Sequence, residues 1–156
     1  MGVETTLLVL HSISLPPGEF GGDAIEQLFT NRLDPAAHPA FTELRALRVS
    51  AHFLLRRDGE LIQFVPVHRR AWHAGVSRWR GRERCNDFSV GVELEGTPQQ
   101  AFADPQYAQL ARLVRVLRTA LPLREIAAHS DIAPGRKSDP GDRFDWSRLF
   151  FTLAAR

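Results

Sequence analysis

His129, Lys137 and Asp139 fall within one short stretch, AHSDIAPGRKSDPG at residues 128–141. Pro134, Gly135, Pro140 and Gly141 disfavour both helix and strand there, so the segment reads as a loop that a scaffold can use for chemistry. His129 and Asp139 are ten positions apart with Lys137 between them, a spacing that lets one loop fold two metal ligands and a cation around a point. A further ligand lies far upstream, where His11 ends the apolar run at residues 7–10 and a strand would deliver it to the rim of a sheet. Two histidines and an aspartate are a zinc set with a fourth position open, the arrangement of a hydrolytic rather than a structural zinc.

Residues 5–10 have the length and apolarity of a buried strand, and Pro16, Pro17, Gly18, Gly21 and Gly22 then force a long turn. Asp23 opens a short helix in which Ile25, Leu28 and Phe29 share a face, and Asp23 with Glu26 has capping-box spacing. A second short helix is expected over residues 41–47. Residues 51–65 read as a hairpin, because Asp58-Gly59 is a favoured turn pair between two runs rich in β-formers. At residues 89–94, Val90, Val92 and Leu94 alternate with Gly91 and Glu93, which puts Glu93 on the face opposite the apolar residues. Asp104 is expected to cap a helix with Pro105 at its first position, and Leu110, Leu113, Val114, Leu117 and Leu121 follow with helical spacing. Residues 126–128 predict a strand ending in His129, and Asp145 caps a last helix that runs through Leu149 to about Ala154. Strands and helices alternate without linker or repeat, so the expected fold is α/β, one domain over residues 1–156 with a mixed central sheet flanked by helices.

A histidine taken singly is more often a hydrogen-bonded core or surface residue than a ligand, and the chain has six. His38 before Pro39, His52 at a hairpin strand and His68 among basic residues are expected to be structural. His73 is different, since Trp72 beside it would suit the wall of a sugar or peptide site. Glu93 and Glu95 would be uncomfortable on a mid-sheet strand without a task or a partner. Lys137 beside a zinc would offer its charge to a developing oxyanion. Cys85, the single cysteine, excludes an internal disulfide and a cysteine-based zinc finger. Lys and Arg total 20 against 18 Asp and Glu, a balance that does not call for nucleic acid. With no basic n-region and only a short apolar run interrupted early by Glu4, neither signal peptide nor membrane span is visible, and a cytoplasmic location is expected.

The segments LHSISLPPGEFGG, LDPAAHPAF, RVSAHFLLRRDGE, AWHAGVS, GRERCNDFSVGVELEGT and AHSDIAPGRKSDPG, in that order, resemble the AmpD-type N-acetylmuramoyl-L-alanine amidases, zinc enzymes of peptidoglycan recycling within the peptidoglycan-recognition-protein superfamily. The resemblance runs through nearly the whole chain. It implies that His11, His129 and Asp139 hold Zn2+, that Glu93 is acid and base, and that Lys137 stabilises the oxyanion. It further implies that Arg48 and Arg84 bind the carboxylates of the stem peptide, while Trp72, His73, Ser12 and Ala133 line the substrate cleft. Ser12 stands where the family tends to have Asn, the segment before His129 is slightly shorter, and the chain begins almost at the first strand, where the family carries an extension.

The reaction so implied is hydrolysis of the amide between the lactyl group of muramic acid and L-alanine, with an anhydro-muropeptide as preferred substrate and a monomer acting without membrane or nucleic acid. A phage-type lytic amidase would share the zinc site but attack polymeric wall. A nucleic-acid binder would use the four arginines of residues 78–84, which Glu83 interrupts.

Overall fold

The computed structural model describes residues 3–155. In chain order these form β1 (Leu7–Ile13), α1 (Ala24–Phe29), a 3-10 turn (Pro39–Leu44), β2 (Phe53–Leu55), β3 (Leu61–Gln63), β4 (Arg78–Trp79), β5 (Arg82–Glu83), a second 3-10 turn (Cys85–Asp87), β6 (Ser89–Glu95), α2 (Asp104–Ala120), β7 (Glu125–Ala128), α3 (His129–Ile132) and α4 (Trp146–Ala154). The main sheet has the order β3-β2-β6-β1-β7, while β4 and β5 pair separately. β2, β6, β1 and β7 run parallel, and β3 returns antiparallel through the Asp58-Gly59 turn, so the sheet is mixed.

β1 is apolar without alternation because protein covers both of its faces, as parallel sheets require. Leu8 and Leu10, with Val90, Val92 and Leu94, pack beneath Leu110, Val114 and Leu117 of α2 and Leu149 of α4. Leu7 and Val9 face the other way, onto Ala74, Phe88 and Ile132. Further along that second face the period of two brings up His11 on β1 and Glu93 on β6, which are register partners on neighbouring strands. Chemistry therefore collects at the carboxyl ends of the parallel strands, where loops rather than helices close the sheet. A third apolar cluster of Leu15, Ile25, Leu28, Phe29, Phe41 and Leu54 seats the segment after β1.

Three local expectations differ from the structure. The Asp23/Glu26 capping box does not form, because Glu26 takes the Arg56 guanidinium at 2.6 Å and Asp23 takes the Gln27 amide at 2.7 Å. The helix expected over residues 41–47 is instead a 3-10 turn, in which only Phe41 is buried and no apolar stripe exists to reward a full helix. Asp104 lies inside the first turn of α2 and pairs with Arg148 of α4 at 2.7 Å, leaving the Ala103 N–H to donate to Gln106 Oε1. The Asp145 cap forms as expected, its carboxylate accepting from the Arg148 N–H. No helix among the described residues is long and apolar enough to cross a membrane.

Glu95, 2 % exposed, closes the end of β6. It accepts from Arg56 Nη1 at 3.2 Å and from the backbone N–H groups of Gly21 and Arg57 at 2.7 and 3.2 Å, tying the long turn after β1 to the sheet. Glu95→Ala deprives two backbone donors and Arg56 Nη1 of their acceptor, while Glu26 and the Gly22 carbonyl keep the rest of the guanidinium, and should cost about 2 kcal/mol; thermal and urea unfolding of the two proteins measure it, and a change below about 0.5 kcal/mol, the ordinary range for a surface substitution, would contradict the account.

Candidate metal centre and substrate cleft

β1 presents His11 from its carboxyl end, α3 starts with His129 directly after β7, and the Pro- and Gly-rich loop that follows brings Asp139 back. His129 thus opens a one-turn helix rather than ending a strand. The loop is pinned by the Ser130 N–H, which donates to the Asp139 carbonyl at 3.0 Å, and by the Arg136 and Lys137 N–H groups, which both donate to the Ala133 carbonyl. Three atoms converge: His11 Nδ1 and His129 Nδ1 lie 2.9 Å apart, and Asp139 Oδ2 is 3.2 and 3.1 Å from them. Both histidines are buried.

His129 Nε2 lies 3.1 Å from the Ala74 carbonyl, which can only accept, so the ring proton sits on Nε2 and Nδ1 offers a bare lone pair. Two imidazole nitrogens and a carboxylate oxygen aimed at one point form a donor set suited to a borderline-soft cation such as zinc. Tetrahedral bonds of about 2.0–2.1 Å place ligand atoms roughly 3.3 Å apart, so the set needs only slight expansion to hold zinc. Burial lowers the His11 pKa to about 4, against the Asp139 carboxylate, which would accept from the protonated ring and so favours it. Burial by itself would raise the Asp139 carboxyl, but whenever a proton enters the triangle on either histidine Nδ1 the hydrogen bond it donates to the carboxylate outweighs that and lowers the pKa. Neutral imidazoles and an ionised carboxylate are the forms that bind metal.

A cavity of about 500 Å3 opens onto this triangle, lined among others by His11, Ser12, Trp72, Glu93, Lys137 and Asp139. Burial, and behind it the Asp139 charge, push the Glu93 carboxyl up to about 8, with Lys137 pulling the other way. A carboxyl poised near neutrality is suited to accepting and returning a proton. A neighbouring groove of about 760 Å3 is lined by Trp72, Arg84, Ala133 and Arg136 among others, and the half-exposed Trp72 indole, 4.0 Å from the Arg70 guanidinium, belongs to both walls.

Of the residues expected to line a substrate cleft, Ser12 and Trp72 border the cavity, and Arg84 and Ala133 border the groove. Arg84 is exposed and paired with Asp87 at 3.2 Å. Arg48 is exposed and lies against the Arg45 and Leu47 carbonyls, next to Leu47 and Val49 of the cavity wall. His73 also borders the cavity, but both its ring nitrogens are engaged inside the protein, Nδ1 with His11 Nε2 at 2.8 Å and Nε2 with Ser89 Oγ at 3.3 Å, so what it shows the cavity is carbon rather than a free polar atom. Burial, with the neighbouring His11, His52 and His129, lowers its pKa well below the ordinary value, so the ring is neutral. His52 is buried, accepting from the Gly91 N–H and donating to the Arg69 carbonyl, and His38 caps the first 3-10 turn by accepting from the Ala40 N–H.

Two residues absent from the sequence expectations shape the site. Asn86 Oδ1 receives the His73 and Ala74 N–H groups at 3.1 and 2.8 Å. Arg136 Nη2 donates to the Ala74 and Val76 carbonyls at 2.6 and 2.8 Å, joining the ligand loop to the Trp72–Val76 segment. Neither carries a local signal, since each acts on backbone more than ten residues away. Arg78, Arg80 and Arg84 pair with Glu83, Glu125 and Asp87, and Arg82 covers the Phe88 ring, so this arginine run is satisfied within the protein.

Residues 2–142 match the family model described as N-acetylmuramoyl-L-alanine amidase. The chain is 61% identical over 146 residues to the 1,6-anhydro-N-acetylmuramyl-L-alanine amidase AmpD of Escherichia coli, covering 92% of this chain and 80% of that protein. A crystal structure of AmpD as a selenomethionine derivative superposes with a TM-score of 0.94 at 56% identity, over 96% of this chain and 85% of the other. The Escherichia coli amidase AmiD, solved in complex with anhydro-N-acetylmuramic acid-L-Ala-D-gamma-Glu-L-Lys, gives 0.71 at 27% identity, over 97% of this chain and 58% of that one.

The buried carboxyl sets a pH dependence for the metal-free protein. With its folded pKa raised from 4.5 to about 8, Glu93 contributes stability that is full below pH 4.5 and lost as pH rises through 8. His11, lowered from 6.5 to about 4, works oppositely: its contribution is present above pH 6.5 and lost as pH falls through 4. Glu93→Gln removes only the first effect, so the midpoint of the metal-free variant should gain on wild type between pH 5 and pH 8. Parallel thermal melts at the two pH values check this, and an unchanged gap would mean that Glu93 does not titrate in that window.

Proposed function

The chain belongs to the N-acetylmuramoyl-L-alanine amidase family, and from that premise we propose that it is a zinc amidase of peptidoglycan recycling that hydrolyses the bond between the lactyl group of 1,6-anhydro-N-acetylmuramic acid and the L-alanine of a stem peptide. The carrying observation is that the three donor atoms, Glu93 and Lys137 border one cavity. The curated relatives support the anhydro sugar as the substrate form, and the AmiD complex supports a muropeptide as the ligand of this fold. With this reading goes a monomer acting on soluble muropeptide in the cytoplasm.

His11, His129 and Asp139 would hold the zinc, which when bound supplies Lewis acidity to the scissile carbonyl and the attacking water. Glu93 takes the proton of that water and returns it to the leaving amine of L-alanine. The Lys137 ammonium stabilises the oxygen on which negative charge develops, so no covalent link to the protein is required. Trp72 offers an apolar wall where cavity and groove meet, and the groove beyond it, with the Arg84 guanidinium and Ala133, receives the peptide. Arg48, beside Leu47 and Val49 of the cavity wall, would meet a peptide carboxylate once its guanidinium leaves the Arg45 and Leu47 carbonyls.

Elemental analysis should find one zinc per chain, and His129→Ala should lose metal and turnover of a defined anhydro-muropeptide together; full retention of both would displace the centre. Glu93→Gln should keep zinc while kcat falls roughly 10²- to 10⁴-fold. Lys137→Met should likewise keep zinc and lose on the order of 10²-fold in kcat, whereas an effect on KM alone would make Lys137 a ground-state contact. Arg84→Ala should raise KM more for a tripeptide-bearing substrate than for one ending at L-alanine, and equal increases would remove it from peptide recognition.

A further inference from the structure

Behind His11 a line of hydrogen bonds runs away from the cavity into the protein. His11 Nε2 is 2.8 Å from His73 Nδ1, His73 Nε2 is 3.3 Å from Ser89 Oγ, and Ser89 Oγ is 2.6 Å from the Cys85 carbonyl. The direction of this line is fixed at its far end. The Cys85 carbonyl can only accept, so the single Ser89 hydroxyl proton points to it, and what Ser89 Oγ turns towards His73 is a lone pair. His73 must then carry its proton on Nε2. With that proton on Nε2, Nδ1 is the ring's acceptor and takes His11 Nε2–H at 2.8 Å, which leaves the lone pair of His11 Nδ1 directed at the donor triangle.

We propose that His73 is a positioning residue for His11: an uncharged acceptor, polarised through Ser89 by the Cys85 carbonyl, that holds His11 in the one tautomer and ring orientation able to bind metal through Nδ1. The proposal rests on the reading of His11 as a zinc ligand. Metal-bound histidines are ordinarily oriented by a carboxylate, carbonyl or water at their second nitrogen; here a second imidazole takes that place.

The surroundings are shaped for this ring. A Cβ on Gly91 would lie 2.4 Å from His73 Cγ, so β6 dispenses with a side chain where the imidazole lies against it. Asn86 Oδ1 clamps the backbone N–H groups of His73 and Ala74. The next carbonyl, that of Ala74, accepts from His129 Nε2–H, so two consecutive residues of one clamped segment set the tautomers of both ligand histidines. The His11 and His73 rings are held with centroids 5.0 Å apart and planes at 87° to each other.

The test compares two substitutions that packing and hydrogen bonding order oppositely. His73→Phe refills the space over Gly91 but offers no acceptor, whereas His73→Asn packs less well and can place Oδ1 near the lost Nδ1. Competition with a chelator should show zinc affinity falling roughly 10- to 100-fold in His73→Phe, the usual effect of losing an outer partner of a metal ligand, and largely restored in His73→Asn. Phe matching or exceeding Asn in zinc affinity would overturn the proposal in favour of a packing role. Nitrogen-15 ring spectra of the metal-free wild type give an independent readout, with His73 expected as the Nε2–H tautomer. A proton on Nδ1 would overturn the proposal even with zinc bound. Failure of wild type to bind zinc at all would instead overturn the parent reading, while the ring spectra would still report the direction of the line.

Discussion

Two imidazole lone pairs and a carboxylate crowded within about 3 Å of one another, largely out of water, are a repulsive and poorly solvated arrangement. A chain free to relax would rotate the rings apart or protonate them. Here each donor is held from behind: His129 by the Ala74 carbonyl, His11 by His73, and Asp139 by a loop whose own backbone N–H groups are spent on Ser130-to-Asp139 and Ala133-centred bonds. That constraint explains why so many polar groups are invested at one end of the sheet. The energetic cost of assembling the triangle is met by the packing of the sheet and returned when a cation enters, because a ligand that binds only the folded state stabilises it.

The sheet supplies rigidity where it is needed. Parallel pairing of β1 with β6 makes His11 and Glu93 neighbours by register, and pairing of β1 with β7 ends at Ala128, one residue before His129. A slip of one position on either strand would turn His11 or Glu93 into the α2 layer. The buried Leu8, Leu10, Val90, Val92 and Leu94 forbid that slip, since it would expose their whole apolar set to the polar side. Register, core and catalytic geometry are one specification.

The groove beside the cavity is built by loops instead. Trp72, Arg84, Ala133 and Arg136 come from connections between elements, and the groove they border has a larger volume than the cavity beside it. Arg136 unites the two regions, because its guanidinium bonds carbonyls of the Trp72–Val76 segment whose Ala74 also orients His129. A molecule seated on this wall would therefore be in mechanical touch with the triangle of His11, His129 and Asp139.

Much of this was written along the chain. The apolar run of β1, the alternation at residues 89–94 and the Pro- and Gly-rich loop place His11, Glu93, His129 and Asp139 at strand ends or in a loop from local pattern alone, because burial on a strand has a period that sequence displays. The Asp145 cap and the Asp58-Gly59 turn were legible for the same reason, each depending on neighbours a few residues away. What only the tertiary structure decided depends on partners distant in sequence. Glu26 abandons a capping box for Arg56, Asp104 leaves its cap for Arg148, and Glu95 becomes a buried anchor for Gly21 and Arg57. His73, which its neighbour Trp72 suggests as a cleft residue, borders the cavity but spends both nitrogens inward, because His11, 62 positions away, and Ser89 take them. A side chain's type is fixed by the sequence, but the direction of its hydrogen bonds is fixed by which polar groups folding brings within 3 Å of it.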